Sequence, residues 1–243
     1  MVFQRGKEAL SSYPDLVEKL ADLQAEFKVR SGLSDVPLRG KLPQESDSKL
    51  EAITIPLSPE TQRLVEQMRT DGYAVYDTTG RTPASLKSDG MRYWVLNDKL
   101  AERTAPQKLV AFKKAPSEFF LPGSEDMLHD EQVMLIPNAQ AQLDSEYPGK
   151  GLLAREGKIS EWTEVALKHF KETSKTGRGV RILGSDYGYK WTWADDYESD
   201  ERGADRAIFG DWYDASGAFV ELWSPDLVVS DLRLALLVEI PLK

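Results

Sequence analysis

The C-terminal segment, from Arg206 to Lys243, decides the fold, and it reads RAIFGDWYDASGAFVELWSPDLVVSDLRLALLVEIPLK. Over the nine positions from Leu232 to Ile240, alternate residues share one face of a strand, and these are Leu232, Leu234, Leu236, Val238 and Ile240. The opposite face is apolar as well, because it carries Ala235 and Leu237. This pattern predicts one central strand, Leu232 to Ile240, that is buried on both sides.

The part before that strand, Gly210 to Asp231, has a different character. Aromatic residues alternate there with acids and small turn residues; the aromatics are Trp212, Tyr213, Phe219 and Trp223, and the acids are Asp211, Asp214, Glu221, Asp226 and Asp231. Because polar and apolar residues are mixed in it, such a stretch is not expected to be fully buried, although it continues directly into a core strand. A variable, mixed segment on a rigid scaffold is typical of a recognition surface, and we expect Tyr213, Phe219 and Trp223 to be exposed.

Composition limits the functional classes. The chain has 243 residues, enough for a substantial core, and no cysteine, which excludes disulfides, thiolate metal sites and cysteine nucleophiles. Its formal net charge is -9 and its basic residues are scattered, so nucleic acid is not an expected partner. Neither a signal peptide nor a run of about 20 apolar residues is visible, which predicts a soluble protein without membrane insertion.

Helix signals occur at several places. A first helix is predicted from Ser12, with Leu16, Leu20, Leu23 and Phe27 at helical spacing, to Gly32, and we expect it to pack on the core. A second runs from the Ser58 cap to Gly72 and turns Leu64, Val65 and Met68 inward. Further helices are predicted at 125–135, 137–147 and 160–174, the last with a face of Trp162, Val165, Ala166, His169 and Phe170.

Short strands lie between these helices. They are predicted at 73–76, 91–96, 109–112, 180–183, 191–193 and 207–209, with a possible edge strand at 52–57. Helices and short strands that do not alternate regularly favour an α+β fold with mostly antiparallel strands, formed by one domain that spans residues 1–243.

Few residues support catalysis. His129 and His169 lie on separate predicted helices without a second histidine at i+4, so His169 is interpreted as a hydrogen-bonded core residue and His129 as a solvated one. Gly177-Arg178-Gly179 follows a helix and opens a strand, the reverse of a phosphate-binding loop. The sequence therefore predicts neither a cofactor nor an enzyme.

The acidic run at 195–201 is the best metal candidate, because calcium needs several oxygen ligands in one loop. It lacks the regular acid spacing and central glycine of an EF-hand, so a solvated connection is the simpler interpretation. An alternative function is a metal-assisted hydrolase that uses Asp186, Asp195 and Asp196. Trp191 and Trp193, two positions apart, are predicted to form a core wall on one side of their strand.

The succession G-D-W-Y-D-A-S-G-A-F, then L-W-S-P-D, then S-D-L-R-L-A-L resembles the variable region of target proteins that are diversified by retroelements, in the archaeal, AvpA-like branch. In that family, tryptophan, small residues, a Ser-Pro and a closing strand form a fixed frame of C-type lectin fold. A reverse transcriptase that miscopies adenines rewrites the codons between them. The resemblance implies a C-type lectin-like fold with N-terminal and inserted helices, and a variable region at 206–243.

The resemblance also implies which positions vary. Rewriting an AAY codon can give Asp, Tyr, Phe, Gly, Ser or Val, but not Trp or Glu, which need another third base. The expected variable ligand contacts are Asp211, Tyr213, Asp214, Gly217, Phe219, Asp226, Val229 and Asp231, with Trp212 in the frame. Glu221 and Trp223 complete the candidate set, although each needs a different template codon.

The ligand implied is an unidentified protein or cell-surface molecule, and the location could be cytoplasmic or on a virion or cell surface. A third class, an assembly or attachment protein of a virion with a fixed partner, would use the same aromatic surface. A near-repeat of the 3′ coding segment that differs only at adenines, next to a reverse-transcriptase gene, would separate the first class from the others.

Overall fold

The structure is a computed structural model that describes residues 53–176, 179–184, 190–200, 203–211 and 217–242. These residues belong to one compact unit, Ser48–Lys243. The predicted first helix, from Ser12 to Gly32, lies outside the described residues, and so does its expected packing on the core. A single domain over the whole chain therefore stays a prediction.

The described elements are both helical and extended. In chain order they are α1 (Pro59–Thr70), β1 (Tyr73–Thr78), β2 (Tyr93–Leu96), α2 (Asp98–Ala101), β3 (Lys108–Lys113), α3 (Pro116–Phe119), α4 (His129–Val133), α5 (Ile136–Glu146), β4 (Leu153–Arg155), α6 (Ile159–Thr176), β5 (Trp191–Asp200), β6 (Gly203–Asp211), β7 (Ala218–Trp223), β8 (Leu232–Arg233) and β9 (Leu237–Ile240). A short 3-10 helix, Ser85–Asp89, precedes β2.

The strands form two sheets. A four-stranded sheet has the order β1-β3-β9-β4, and all its pairs are antiparallel. A five-stranded sheet has the order β2-β7-β6-β5-β8; its inner pairs are antiparallel, whereas β2 with β7 and β5 with β8 are parallel. Helices combined with two antiparallel-rich sheets confirm the predicted α+β class.

Local signals placed α1 correctly. The backbone amide of Thr61 donates to Ser58 Oγ at 3.2 Å, which is the predicted N-cap, and the proline at the first helical position has no amide to satisfy. Leu64, Val65 and Met68 are buried against the four-stranded sheet. Gly72 follows the helix with a φ of 90°, a conformation that glycine adopts without strain.

Helix α6 lies between the two sheets. It contacts β1 of one sheet and β5 and β6 of the other, and every residue from Ile159 to His169 is buried. The Trp162 ring stacks on Phe209 of β6 with centroids 6.4 Å apart. The predicted apolar face is confirmed, with Phe170 only half-buried, but the helix is buried all round from Ile159 to His169, which its polar positions did not indicate.

The buried polar residues of α6 are held in ion pairs with the four-stranded sheet. Lys168 Nζ lies 2.8 Å from Asp77 Oδ1 and 3.0 Å from Glu164 Oε1. Burial alone would raise the pKa of Asp77, but hydrogen bonds from Lys168 and Thr54 outweigh it and hold that pKa below its usual value. Glu161 is paired with Arg155, whose Nη2 lies 2.6 Å from its carboxylate. Each buried charge thus has a partner, which burial requires.

The C-terminal segment corrects the central prediction. The prediction of one strand from Leu232 to Ile240 is wrong. The segment instead forms two strands, β8 at the edge of the five-stranded sheet and β9 inside the four-stranded one. Between them Ala235 makes an isolated bridge with Phe120. The apolar pattern predicted burial correctly, since Leu234 and Leu237 are fully buried. Hydrophobic periodicity does not reveal that a segment passes from one sheet to another.

Other boundaries also differ from prediction. The strand expected at 180–183 is a turn, in which Leu183 has a φ of 64°, outside the extended region. The helix expected at 125–135 is shortened to α4, because Asp126 has a φ of 56° that no right-handed helix accommodates. Residues 53–57 form no strand, although Thr54 is tied to the sheet by a hydrogen bond from its backbone amide to Asp77 Oδ2. Among the described residues, no helix has the length and apolar character that crossing a membrane requires.

Leu234→Ala should destabilise the protein by about 2 to 5 kcal/mol, because it removes a buried side chain and leaves a cavity. Leu227→Ala is the matched control, since Leu227 lies in the same C-terminal segment but is exposed. Urea denaturation of the two variants compares them directly. Equal midpoints would show that the C-terminal segment does not anchor the core.

Candidate ligand-binding surface

The five-stranded sheet has two different faces. Along β6, Ala207 and Phe209 pack toward α6, whereas Ile208 packs with Trp193 and Phe219 on the opposite side. That outer side has no helix equivalent to α6 among the elements described. The side chains on it pack with each other, with Leu121, with Ile136 at the start of α5 and with the segment that follows β7.

Four aromatic rings cluster on the outer side, and we call Trp94, Trp191, Phe219 and Trp223 the aromatic face. Phe219 is central: its ring centroid lies 5.5 Å from that of Trp94, 6.0 Å from Trp191 and 6.2 Å from Trp223. Trp191 and Trp223 are 5.1 Å apart in an edge-to-face arrangement. Such distances and angles are the favoured ones for aromatic pairs, so the cluster is well packed.

Exposure differs within the aromatic face. Trp94 is 46% exposed, Trp191 and Trp223 are half-buried, and Phe219 is only 8% exposed. The expectation that Phe219 is an exposed contact is therefore wrong. Its strand, β7, has neighbours on both sides, and three indoles surround the ring. Phe219 supports the surface from beneath.

The predicted core wall is confirmed for Trp193 and only in part for Trp191. Trp193 is fully buried and Trp191 half-buried, and both belong to the cluster that contains Ile208, Leu232 and Leu234. Because residues two apart on a strand share a face, both indoles lie on the outer side of β5. The buried residues Leu232 and Leu234 and the partly exposed Trp191 and Trp223 thus belong to one apolar cluster.

Gly217 cannot carry a side chain. Its φ is 84°, and an added Cβ would lie 2.4 Å from the carbonyl oxygen of Arg92. The close approach is fixed by a hydrogen bond of 2.8 Å from the Ala218 amide to that same oxygen. Only glycine fits here, so the expectation that Gly217 is a variable contact is wrong, and the residue belongs to the frame.

The segment Ser224–Asp231 forms the exposed rim beside the aromatic face. Asp226, Leu227, Val228 and Ser230 are exposed, whereas Val229 is half-buried against the Trp193 cluster. Backbone hydrogen bonds hold the segment: Leu227 donates to the Ser224 carbonyl at 3.1 Å, and Leu232 to that of Val229 at 2.9 Å. An exposed tip on a bonded base can change its side chains without losing its backbone contacts.

Acidic candidates at the rim differ in their partners. Asp231 is half-buried and pairs with Lys190, while Asp226 is exposed. Glu221 is half-buried and its Oε1 accepts from Asn97 Nδ2 at 2.5 Å, which ties β7 to the residue after β2. Asp211 ends β6 opposite Ala218, next to Gly217. Tyr213 and Asp214 lie outside the described residues.

The acidic run does not form a loop. Its described part, 195–200, continues β5, where a bulge between Ala194 and Tyr197 leaves Asp195 and Asp196 without partners across the ladder. Asp196 is buried and its Oδ2 accepts from the Ile159 amide at 2.6 Å, which caps α6. Burial raises the pKa of Asp196 despite that bond. The expected solvated connection is thus wrong for Asp196, because its carboxylate satisfies a helix terminus.

A shallow groove of about 320 Å³ lies beside this bulge, and it is lined by Arg103, Lys158, Asp195, Asp196, Tyr197, Glu198 and Ser199. Both cations in it are already paired, Arg103 with Glu198 and Lys158 with Asp195. In the described parts of the chain, no group of three or more potential ligands could hold a metal ion, and Asp186 lies outside them. The geometry gives the proposed hydrolase centre no support.

The two histidines are both buried. His169 is confirmed as a hydrogen-bonded core residue, with Nδ1 at 2.9 Å from the Tyr76 hydroxyl. His129 was expected to be solvated, which is wrong: Nε2 lies 2.9 Å from Glu156 and the ring packs edge-on against Trp193 at 5.1 Å. The helix α4 that carries His129 is short and packs under the C-terminal segment, where the Pro225 carbonyl accepts from the His129 amide.

Sequence reasoning missed Trp94 as a site residue. Its strand was predicted, but β2 pairs in parallel with β7, which lies far along the chain. No local pattern around Trp94 signals such a pairing, because parallel neighbours are joined through distant segments.

Comparisons with models of known protein families, with curated proteins and with solved structures found no match for this chain. The candidate surface therefore stands on its own geometry.

Calcium should not change the stability of the protein. A native-state site of micromolar affinity would add about 4 kcal/mol at millimolar calcium, which thermal denaturation would detect easily. We expect equal melting temperatures with calcium and with a chelator. A rise with calcium that the chelator reverses would contradict this prediction.

Stability should fall in acid because of His169. Burial lowers the pKa of His169 to about 4, although Glu172 opposes and Lys114 assists this shift. The unfolded chain takes up the proton near pH 6.5, so the stability that the neutral ring contributes is present above that pH. This contribution to the free energy of unfolding, roughly 3 kcal/mol, is lost as the pH falls toward 4.

His169→Gln tests this assignment, because glutamine can still bond Tyr76 but does not titrate. Urea denaturation between pH 7 and pH 4 should show a smaller loss of stability in the variant by roughly that amount. Parallel curves for the two proteins would mean that His169 does not titrate differently in the folded state.

Proposed function

We propose that this chain is a ligand-binding protein whose binding surface combines the aromatic face with the rim segment Ser224–Asp231. The observation that carries the proposal is the juxtaposition of half-exposed tryptophans with an exposed, backbone-bonded segment on one side of a sheet. Aromatic anchors surrounded by polar and adaptable residues make up the usual binding hot spot. The protein acts by binding and carries out no reaction of its own.

We further propose that the surface is diversified by a retroelement and that the fold is C-type lectin-like. Support comes from the resemblance of the Gly210–Leu236 segment to the variable regions of that family. The exposure of Asp226 and of much of the rim agrees with it, whereas Gly217 and Phe219, two positions expected to vary, are buried.

The structure revises the set of variable contacts. We assign Gly217 and Phe219 to the fixed scaffold beneath the surface. The candidates for variable ligand contacts that remain are Asp211, Tyr213, Asp214, Asp226, Val229 and Asp231. Exposure adds Leu227, Val228 and Ser230, all of which a codon with a third-position pyrimidine can encode. Glu221 is held by Asn97 and Trp223 by its aromatic neighbours, so both serve as semi-fixed contacts.

A virion attachment or assembly protein with one fixed partner is the second candidate, because an exposed tryptophan also suits an invariant interface. Genomic context separates the two. A 3′ near-repeat that differs only at adenines, beside a reverse-transcriptase gene, is expected for the diversified protein, and its absence would favour the fixed partner.

A multiply substituted rim should leave folding almost unchanged. We suggest Asp226→Asn, Leu227→Ser, Val228→Tyr and Ser230→Asp together, because surface changes shift stability by about 0.5 kcal/mol or less each. Thermal and urea denaturation give the comparison with the parent chain.

The matched control is Phe219→Ala, at a position from the same candidate set that is buried. It should cost about 3 to 5 kcal/mol through lost burial and the cavity. If the rim variant unfolded as readily as Phe219→Ala, the rim side chains would be packing elements, and a tolerant binding surface would be excluded.

A further inference from the structure

We propose that Gln132 of α4, which lies outside the C-terminal segment, is a positioning residue of the binding surface. Its side chain holds the end of the rim segment, so that the rim is shaped before a ligand arrives. The inference rests on the proposed function, because it concerns how that same surface is made ready for binding. Since Gln132 is buried, it acts through the rim and not by contact with a ligand.

The short helix α4 reaches both ends of the rim segment. Near the start of the rim, the Pro225 carbonyl accepts from the His129 amide at 3.3 Å. Directly after its end, the Leu232 carbonyl accepts from Nε2 of the Gln132 side chain at 3.3 Å. A loop that is fixed at both ends has fewer conformations than a loop fixed at one end. The contacts with α4 therefore limit the shapes that the rim can adopt.

The end of the rim is held from a second element as well. The Asp231 carbonyl accepts from the Trp191 amide of β5 at 2.8 Å, while the next carbonyl, that of Leu232, is bonded to Gln132. Bonds from two elements to consecutive carbonyls fix the direction of the chain as well as its position. Loss of the Gln132 bond would leave the end of the rim attached at β5 but free to turn on the side of α4.

The side-chain amide of Gln132 is suited to this role by its two donated bonds. It is 1% exposed, and Nε2 also donates to the Met127 carbonyl at 3.1 Å. Its Oε1 is buried and makes no hydrogen bond within the parts of the chain that the structure describes. Burial of an amide oxygen without a partner lowers stability, and an apolar side chain would avoid that loss. The donated bonds, which an apolar side chain cannot make, are what distinguish glutamine at this position.

Helix α4 can hold the rim because it is itself attached to buried residues. The His129 ring lies with Nε2 at 2.9 Å from Glu156, and it packs edge-on against the fully buried Trp193. The segment that leads into α4 is bonded too, since the Leu121 amide donates to the Leu234 carbonyl at 2.8 Å. The rim is thus held against the interior of the fold and not against another exposed loop.

Preorganisation is the physical link between Gln132 and binding. A loop that already has its bound shape loses less conformational entropy on association, and its affinity is higher for that reason. Release of the Leu232 carbonyl should loosen the rim without changing any side chain on the surface. The affinity for a ligand should then fall, although every contact residue is still present.

Hydrogen exchange tests the positioning role without any ligand. In Gln132→Met, a side chain of similar length occupies the same space but has no N–H to donate to the Leu232 carbonyl. We expect the amides of residues 224–232 to exchange about tenfold faster than in the parent chain, as the loss of a buried hydrogen bond implies. Peptide-level mass spectrometry at one pH gives the comparison, and unchanged exchange in this region would contradict the inference.

Gln140→Met is the matched control, because Gln140 of α5 holds β4 of the other sheet in a similar way. Its Nε2 donates to the Leu152 carbonyl at 3.0 Å, and its Oε1 accepts from the Ala154 amide at 2.8 Å. This variant should speed exchange at residues 152–155 and leave residues 224–232 as they are, whereas Gln132→Met should do the reverse. A merely structural role for Gln132 would speed exchange in both regions.

If Gln132→Met does not fold, the side-chain NH₂ protons of Gln132 are followed by NMR in the unsubstituted protein. Because both of its bonds are buried, these protons should exchange slowly, whereas those of the exposed Gln142 should exchange fast. Fast exchange of the Gln132 side-chain protons would show that the bond to the Leu232 carbonyl is not maintained, and the inference would be wrong.

Binding is tested separately, so that the two proposals can fail independently. The full chain is displayed on yeast with Asp226, Leu227, Val228 and Ser230 randomised, and the library is selected for binding to lysozyme as the probe. Gln132→Met and Gln140→Met are then introduced into each selected binder. We expect Gln132→Met to raise the Kd for lysozyme about tenfold, through the loss of preorganisation, and Gln140→Met to leave it unchanged.

The outcomes distinguish the inference from the proposed function. A library that folds but yields no binder contradicts the proposed binding surface, and the exchange measurement still decides whether Gln132 shapes the rim. Binders that keep their Kd with Gln132→Met contradict the positioning role alone. Faster exchange confined to residues 224–232, together with a raised Kd, supports both.

Discussion

Burial of α6 between the two sheets is the constraint on which the rest of the structure depends. Where a helix is covered on all sides, as α6 is from Ile159 to His169, its charged residues need buried partners, and Lys168 therefore lies between Asp77 and Glu164. Removing one member of such a pair leaves a buried charge without a partner, which typically lowers the stability of the fold by about 3 to 5 kcal/mol. These pairs fix the position of the four-stranded sheet on the helix, whereas apolar residues such as Ala207 and Phe209 hold the inner face of the five-stranded sheet in the core. The aromatic face lies on the opposite side of that sheet.

The C-terminal segment connects these two roles. It passes from the exposed rim through β8 to β9, and its apolar residues enter each of the three core clusters in turn. Because β9 pairs with both β3 and β4, the chain is held firmly in the four-stranded sheet a few residues after the exposed rim ends. Such an anchor stabilises the exposed rim, whose own side chains bury little apolar surface.

The sequence predicted elements whose signals are local. The cap, the proline and the terminal glycine defined α1, and helical periodicity placed α6 within two residues at each end. Non-local features could not be predicted in this way. The change of sheet between Leu232 and Leu237, the burial of Phe219 and the approach of Trp94 all depend on which strands become neighbours, and alternation of side chains carries no such information. The buried ions of α6 were missed because charged residues usually indicate a solvated face.

The pairing of β2 with β7 has a consequence for the order of folding. Residues 93–96 lie against residues 218–220, so the aromatic face joins parts of the chain that are synthesised far apart. Contacts of large sequence separation form late, because a long loop must close before they contribute. On the ribosome, Trp94 therefore emerges well before its neighbours and waits for the C-terminal segment. A nascent or truncated chain exposes an aromatic edge strand there, which is where a chaperone would bind and where premature association between chains would begin.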